Sequence, residues 1–232
     1  MHNWARPILD RLAGGLVVSC QAGPGHPLRS PDVIARLARC AVLGGAVGVR
    51  VDSPQDVRAV RAVVGDLPVI GLHKVPAADR PVITPRFALA EGLAEAGADV
   101  IAFEATSRID LPPARFVTRV REELQVPVMA DVATADQGFA AWDAGADLVG
   151  STLSGYTPDS PAREEPDLDL VAALSGYGVR TVAEGRLVTP EHVRSAFAAG
   201  AFAVVVGTAV TDPAAIARRL AAATPAHLTS TP

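Results

Sequence analysis

The sequence predicts a single α/β domain folded as a (β/α)8 barrel, and three observations support this prediction. The 232 residues come close to the ~250 residues typical of such barrels. Short apolar, β-branched segments alternate with Ala/Leu/Arg-rich segments of helical period. A Gly-Ala pair recurs about every 50 residues, which is the length of two βα units. We expect one domain over residues 1–232, with a disordered tail over residues 224–232.

Eight segments read as strands, and their nearly continuous apolar character is typical of parallel strands covered on both faces. In chain order they are Leu16–Cys20, Val47–Arg50, Val69–Leu72, Asp99–Phe103, Val128–Asp131, Asp147–Gly150, Arg180–Ala183 and Ala203–Gly207. The helices predicted between and after them are Asp32–Leu43, Gln55–Val64, Arg86–Ala96, Ala114–Leu124, Asp136–Ala144, Leu168–Leu174, Glu191–Ala199 and Ala214–Ala222. This alternation predicts a parallel sheet.

Signals at the helix ends support these boundaries. Four predicted starts place a capping residue before proline, at Ser53-Pro54, Thr84-Pro85, Thr189-Pro190 and Asp212-Pro213. Four predicted ends carry a glycine followed by alanine, at Gly45, Gly97, Gly145 and Gly200. A doubly wound sheet could also use eight βα units, but the repeat and the chain length favour closure into a barrel.

Composition argues against several classes of partner and cofactor. A net charge of -4, with the charges scattered, does not suit nucleic-acid binding. No apolar run reaches the ~18 residues of a membrane span, and residues 1–7 lack the apolar core of a secretory signal. Two cysteines without a pairing pattern indicate a reducing compartment, so we expect a cytoplasmic location. The five histidines have no ligand spacing, so no metal is expected.

One residue type is almost missing from the chain. Of the 21 basic residues all but Lys74 are arginine. A guanidinium stays protonated, whereas an ammonium can be tuned to release its proton. Lys74 directly follows a predicted strand, at the barrel mouth where (β/α)8 enzymes carry their chemistry. A lysine that persists by chance is the alternative, but this location favours a catalytic role.

The other predicted strand ends also carry polar side chains. As candidate substrate-binding residues we take Gln21, Arg50, Glu104, Asp131, Thr152, Ser154 and Tyr156. Glu184 follows an apolar strand, and with Lys74 it would form a general acid/base pair; a structural ion pair is the alternative. Arg50 would either hold an anionic or polar group of the substrate or pair with Asp131. Tyr156 is either part of a lid or an ordinary loop aromatic.

The last two strand ends suit a phosphate group. Gly185 and Arg186 follow strand seven, and Gly207 and Thr208 end strand eight. Many barrels bind phosphate at these two loops and at a helix N-terminus, where free N–H groups favour an anion. These residues predict a TIM barrel of the phosphate-binding type that acts on a small phosphorylated molecule.

The chain resembles the bacterial N-acetylmannosamine-6-phosphate 2-epimerases from about Leu16 to Arg219. The resemblance lies in residues 18–22, 44–50, 69–74, 83–85, 129–134, 150–157, 182–186 and 203–207. Its most specific parts are Leu153-Ser154-Gly155-Tyr156-Thr157 and Ala183-Glu184-Gly185-Arg186. Glu104 stands where the family usually has an aspartate, and its extra methylene changes any hydrogen bond made to the sugar there.

This resemblance implies interconversion of N-acetylmannosamine 6-phosphate and N-acetylglucosamine 6-phosphate, a step of sialic acid catabolism. Enzymes of the family use a lysine and a glutamate without metal or organic cofactor, and these roles map onto Lys74 and Glu184. Gln21, Arg50 and Asp131 match family positions that hold the sugar. The expected reaction is removal and return of the C2 proton, next to the C1 carbonyl of the open-chain sugar.

Two other functions remain open at this stage. Lys74 could attack a carbonyl in a Schiff-base aldolase or lyase. A non-catalytic barrel that binds a sugar phosphate should lack an acid or a base, and both are present here. Oligomeric state is not determined by the sequence, since any helix face could be an interface, and a homodimer is one such arrangement.

Overall fold

The computed structural model describes residues 5–225, and within them eight parallel strands close into a barrel. With a two-stranded hairpin outside the barrel, the strands of these residues are β1 (Leu16–Cys20), β2 (Gly48–Asp52), β3 (Val69–Leu72), β4 (Lys74–Val75), β5 (Val82–Ile83), β6 (Val100–Glu104), β7 (Val128–Asp131), β8 (Leu148–Gly150), β9 (Thr181–Glu184) and β10 (Ala203–Val206). Around the barrel they follow the order β1-β10-β9-β8-β7-β6-β3-β2, and β4 and β5 form a separate antiparallel hairpin. The predicted barrel is confirmed.

Helices surround the barrel strands. They are α1 (Arg6–Leu12), α2 (Pro31–Leu43), α3 (Pro54–Val64), α4 (Phe87–Glu95), α5 (Pro113–Arg119), α6 (Ala135–Asp143), α7 (Leu168–Gly176), α8 (Pro190–Ala198), α9 (Thr208–Thr211) and α10 (Pro213–Ala221), and a π-helical turn over Val120–Leu124 continues α5. The predicted helices and strands agree with these bounds to within two residues, whereas α1, α9 and the β4–β5 hairpin were not predicted. No helix among residues 5–225 is long and apolar enough to cross a membrane. Of the predicted tail, residues 226–232 lie outside the described residues.

Three of the four predicted N-caps form, and the fourth prediction is wrong. The side chains of Ser53, Thr189 and Asp212 accept backbone N–H groups in the first turns of α3, α8 and α10. Helix α4 instead begins at Phe87, without a side-chain cap. Thr84 has a φ of 47°, and its hydroxyl donates to the carbonyl of Ala102 at 2.7 Å. The Thr84 hydroxyl therefore fastens the hairpin to β6 rather than starting a helix.

The predicted helix-end glycines are confirmed by their backbone conformation. Gly45, Gly97, Gly145 and Gly200 have φ values of 90°, 97°, 98° and 95°, in the left-handed region that side chains disfavour. Each of them ends the turn from a helix into the following barrel strand, as the recurring Gly-Ala pairs indicate.

The interior of the barrel is apolar at the end where the strands begin. Strand residues such as Ile70, Met129 and Val182 form a buried cluster there, together with Leu9 and Leu12 of α1. A Cβ atom on Gly48, the first residue of β2, would lie 2.8 Å from Cδ2 of Leu12. Helix α1 therefore closes this end of the barrel, which leaves the opposite end, where the strands finish, for polar side chains.

Candidate active site

A cavity of about 890 Å³ opens at the end of the barrel where the strands finish. Successive inward-facing positions change from apolar to polar along the strands, because side chains on a strand alternate with a period of two. On β7 and β9 the change is from Met129 to Asp131 and from Val182 to Glu184. Of the predicted site residues, those that line the cavity are Gln21, Arg50, Lys74, Thr152, Tyr156, Glu184, Gly185, Arg186, Gly207 and Thr208. Three others, Glu104, Asp131 and Ser154, are outside the described lining.

Lys74 begins the β4–β5 hairpin and extends its side chain into the cavity. Its Nζ donates to Oε1 of Gln21 at 2.6 Å, and its backbone N–H donates to Oδ1 of Asp52 at 2.9 Å. Burial lowers the pKa of Lys74; the carboxylate of Asp52 opposes this shift, and the neighbouring Arg50 cation adds to it. The Lys74 side chain lines the open cavity and remains accessible to solvent there, and a lysine with a lowered pKa can take up a proton as a neutral amine.

Four side chains from β2, β7, β9 and the loop after β8 form a closed ring of hydrogen bonds, which we call the acid ring. Arg50 donates to Oε1 of Glu184 at 2.6 Å and to Oδ2 of Asp131 at 2.5 Å. The Thr152 hydroxyl lies 2.6 Å from Oδ1 of Asp131 and 3.0 Å from Oε2 of Glu184. Burial alone would lower the pKa of Arg50, but Asp131 and Glu184 raise it above its ordinary value. Arg50 thus forms the predicted ion pair with Asp131 and a second one with Glu184, and its contact with substrate remains a prediction.

Asp131 is more deeply buried than Glu184, whose side chain is 14% exposed. Asp131 is fully buried, and burial raises its pKa to about 7 against the opposing effect of Arg50. A Cβ atom on Gly150 would lie 3.0 Å from Oδ1 of Asp131, so only glycine leaves room for this carboxyl group.

Glu104 serves a different part of the structure from the one predicted for it. Its carboxylate is fully buried and accepts two hydrogen bonds from Arg80 at 2.8 Å and one from the Thr106 hydroxyl at 2.7 Å. Burial acts to raise the pKa of Glu104, but Arg80 and Thr106 together lower it below its usual value. Arg80 lies between β4 and β5, so Glu104 tethers the hairpin that begins with Lys74 and does not itself reach the cavity.

The loops after β8 and β9 are joined by Arg186. Its guanidinium lies 4.0 Å from the ring centroid of Tyr156 and donates to the carbonyl of Ser154 at 2.9 Å. Ser154 is buried, and its hydroxyl donates to Asp167 at 2.5 Å, so this side chain stabilises the loop after β8 and does not line the cavity. Tyr156 is about half exposed and lines the cavity. Its role as part of a lid over the site remains a prediction.

The end of β10 supplies the other side of the predicted phosphate region. Helix α9 begins at Thr208, directly after Gly207, whose carbonyl accepts the N–H groups of Val210 and Thr211; the N–H groups of Thr208 and Ala209 come before these bonds in the first turn. A Cβ atom on Gly207 would lie 3.2 Å from Cβ of Ser19, because the ends of β10 and β1 approach closely here. Gly185, with a φ of 113°, lies in the loop after β9 and lines the same cavity as Gly207. The cavity therefore has backbone N–H groups and an arginine at one end.

The residues of this region that were not identified from the sequence include Asp52, His73 and Arg80. Asp52 lines the cavity because β2 continues two residues past Arg50, and the period of two along the strand could have revealed it. Strand β3 ends at Leu72, so the alternation of side chains stops there and His73 also lines the cavity. Arg80 lies in a hairpin loop without a recognisable pattern, and no sequence signal pairs it with Glu104.

Comparison with known proteins identifies the family. A family model described as "NanE: Putative N-acetylmannosamine-6-phosphate epimerase" matches residues 34–226. The chain belongs to this epimerase family. A relative from Caldanaerobacter subterraneus is 43% identical over 218 residues, covering 91% of this chain and 92% of its own length. One from Cutibacterium acnes is 44% identical over 223 residues, covering 93% and 96%. Both carry the description "Putative N-acetylmannosamine-6-phosphate 2-epimerase".

The solved structures include a member of the same epimerase family. The N-acetylmannosamine-6-phosphate 2-epimerase from Clostridium perfringens superposes with a TM-score of 0.87 at 33% sequence identity. The match covers 95% of this chain and 97% of the other. The resemblance noted in the sequence is thus confirmed by the family model, by relatives of similar length and by a shared fold.

Proposed function

We propose that this chain is an isomerase that interconverts N-acetylmannosamine 6-phosphate and N-acetylglucosamine 6-phosphate. The observation that carries this proposal is the position of Lys74 relative to Glu184 in one cavity. In the barrel order of the described strands, β9, which carries Glu184, is four places from β3, which leads into Lys74. In an eight-strand barrel these two positions are opposite each other. A sugar held between them has one proton-transfer group on each side.

The proposed reaction removes the C2 proton and returns it to the other face. In the open-chain sugar, C2 lies next to the C1 carbonyl, so loss of its proton gives an enolate. Lys74, whose pKa burial lowers, can take this proton as a neutral amine, and Glu184 can exchange a proton on the opposite side. All of these steps use side chains of the chain itself, and the proposal includes no metal or organic cofactor.

The remaining cavity residues would position the substrate. We assign the phosphate to Gly185, Arg186, Gly207 and Thr208, where N–H groups and a guanidinium can bind an anion. Gln21 and Tyr156 line the space between this end and Lys74, and we assign them to the sugar. Anchoring the phosphate holds C2 near both proton-transfer groups and lowers the barrier through orientation.

The decisive experiment is turnover of N-acetylmannosamine 6-phosphate in deuterated water, followed by NMR. We expect N-acetylglucosamine 6-phosphate with deuterium at C2. Absence of both product and exchange with folded protein would exclude the proposed reaction.

Replacement of the lysine tests its role directly. Lys74→Arg keeps the positive charge but removes the group that can release a proton. We expect kcat to fall by at least ~10³-fold, in the range attributed to proton-transfer groups, with an unchanged thermal midpoint. Arg39→Lys, an exposed exchange in α2, serves as the control and should have wild-type activity. Near-wild-type turnover by Lys74→Arg would exclude Lys74 as the base.

A Schiff-base aldolase or lyase is the second candidate, because an amine with a lowered pKa is also a nucleophile. Reduction with borohydride in the presence of substrate separates the two functions. A covalent adduct on Lys74 by mass spectrometry would favour the lyase. Deuterium exchange at C2 without any adduct favours the epimerase.

We also infer a cytoplasmic homodimer that has no nucleic-acid partner. Both cysteines are free, which suits a reducing compartment, and the net charge is -4. Helix α10 buries none of its residues within the described part of the chain, and Leu220 is 65% exposed. An apolar helix face of this kind suits a second copy of the chain.

The oligomeric proposal is tested by sedimentation velocity. We expect a dimer for the wild type and a monomer for Leu220→Arg, because a charge would be placed on the apolar face of α10. Leu43→Arg changes an exposed leucine on α2 and should remain dimeric. A monomeric wild type, or a dimeric Leu220→Arg variant, would contradict the proposed interface.

A further inference from the structure

The Thr152 hydroxyl in the acid ring contacts two carboxyl groups but has one proton to donate. Its oxygen lies 2.6 Å from Asp131 and 3.0 Å from Glu184, and both distances are typical of O–H···O hydrogen bonds. A hydroxyl donates one hydrogen bond and can accept others. One of the two contacts must therefore be donated by a protonated carboxyl group, since two ionised groups would leave one buried contact without a proton.

Asp131 is the carboxyl group better suited to hold this proton. It is fully buried, whereas the Glu184 side chain is 14% exposed and faces the cavity. A proton on Asp131 would be donated to Thr152 across the 2.6 Å contact, which would leave the Thr152 hydroxyl proton for the 3.0 Å contact with Glu184. Burial and Glu184 raise the pKa of Asp131 to about 7 although Arg50 lowers it, so the proton is present near neutral pH.

From this geometry we propose that the acid ring holds one movable proton, which Thr152 relays from Asp131 to Glu184. Asp131 is then the proton reservoir of the site, and Thr152 and Asp131 are positioning and relay residues rather than sugar-binding residues. The inference rests on the proposed function, because it explains how Glu184 carries a proton when substrate has displaced water from the cavity.

The relay step conserves atoms and charge. The O–H bond of Asp131 breaks as its proton passes to Oγ1 of Thr152, and the former Thr152 proton passes to Oε2 of Glu184. Thr152 is unchanged, and the negative charge moves from Glu184 to Asp131. Glu184 then gives its proton to C2 while Lys74 holds the proton taken from the other face. Between turnovers Lys74 releases that proton to water, and the ring takes one up through Glu184.

Arg50 allows the proton to move between Asp131 and Glu184 without leaving a buried carboxylate unpaired. It donates one hydrogen bond to each carboxyl group, at 2.5 Å and 2.6 Å, so the charged carboxylate faces the guanidinium whichever position the proton occupies. The summed charge of the ring is zero in both states. Other charged groups that act on the ring are Asp52 from β2, Lys74 from β4 and Glu104 from β6. Arg80 pairs with the carboxylate of Glu104.

The test compares two substitutions of Thr152. Thr152→Val keeps the shape of the side chain but removes the hydroxyl, whereas Thr152→Ser keeps the hydroxyl. For the wild type we expect kcat to fall as pH rises through about 7, because Asp131 loses the proton that it supplies. We expect Thr152→Val to lower kcat by at least ~10-fold, with little change in KM, and to lose this dependence near pH 7. Thr152→Ser should keep it.

A third variant tests the reservoir itself, with thermal melting to verify that all variants fold. Asp131→Asn cannot supply the proton, and we expect it to lose the same pH dependence. Equal kcat values and pH profiles for Thr152→Val and the wild type would overturn the relay. Equal impairment of the Val and Ser variants would also overturn it, because the hydroxyl would then not be responsible. If the wild type itself fails to exchange the C2 hydrogen, the proposed function fails instead.

Discussion

Two glutamates that follow apolar strands in the same way have different surroundings in the folded protein. Glu184 faces the cavity and belongs to the acid ring with Arg50 and Thr152. Glu104 is fully buried and bound by Arg80. The sequence position of each predicts a polar group at the barrel mouth, but the distinct role comes from the partner that the fold supplies.

At the same scale, the buried carboxyl group of Asp131 should make stability depend on pH. Its pKa of about 7 in the folded chain lies above the ~3.9 of an unfolded aspartate, so the folded state binds the proton more tightly. Stability is then greatest at acidic pH and falls as pH rises toward 7. We expect the free energy of unfolding to drop by roughly 1–2 kcal/mol between pH 5.5 and 7.5, measured by urea denaturation.

Two variants check this prediction. Asp131→Asn has no titrating group at this position and should lose the decrease in stability between pH 5.5 and 7.5. Asp66→Asn changes an exposed aspartate after α3 and should keep the wild-type decrease. A decrease that persists in Asp131→Asn would mean that other groups cause it. Carboxylates such as Glu104, whose pKa is lowered, titrate below this range and do not contribute.

At the scale of elements, the β4–β5 hairpin decides where Lys74 lies. Its base is fastened by Thr84, which links it to β6, and its loop is fastened by the pair of Arg80 and Glu104. The backbone of Lys74 is held separately by Asp52 of β2. Two barrel strands, β2 and β6, thus position the lysine, although the hairpin itself has only two residues in each strand.

The hairpin tether is tested by Glu104→Gln. We expect a loss of roughly 2–3 kcal/mol of stability in urea, less than for a pair buried on both sides because Arg80 can turn toward water. Turnover should fall as well, since the segment that carries Lys74 is loosened. The control is Asp79→Asn, in the loop of the same hairpin, which breaks an exposed ion pair with Arg108 of the loop after β6. It should change neither stability nor turnover measurably. Wild-type stability and turnover in Glu104→Gln would show that the tether is dispensable.

At the scale of the whole molecule, the two ends of the barrel have opposite characters. One end is closed by α1, whose Leu9 and Leu12 join the apolar interior. The other end is polar and open, and there the closure of the barrel sets Lys74 across from Glu184. The apolar end supplies stability and the polar end supplies the chemistry, which is the usual division in this architecture.

The contribution of α1 to the barrel can be measured with Leu9→Ala. Leu9 is 2% exposed, so its truncation should leave a cavity and lower the free energy of unfolding by roughly 2–4 kcal/mol in urea. Turnover of the folded variant should be unaffected, because α1 lies at the end opposite the cavity. Leu43→Ala removes a leucine that is 85% exposed and should change stability by less than about 0.5 kcal/mol. Equal effects of the two substitutions would contradict this packing.

The sequence by itself determined the fold, and ten of the thirteen site residues that it predicts line the cavity. Apolar strands and the repeated Gly-Ala pairs predict the barrel because periodicity and backbone conformation are local properties. They also place Lys74 and Glu184 at the same end, since every parallel strand finishes there. The short α1 and the two-residue strands of the hairpin have too few residues to form a pattern, and they were not predicted.

Only the tertiary structure decided what the polar residues do. Arg50 pairs with Asp131 and Glu184 across the barrel, and Arg80 comes from a distant loop to bind Glu104. Such partners are tens of residues apart in the chain, and no local pattern encodes their meeting. A charge or a pKa shift depends on burial and on neighbours within a few ångströms. These distances exist only after the barrel has closed.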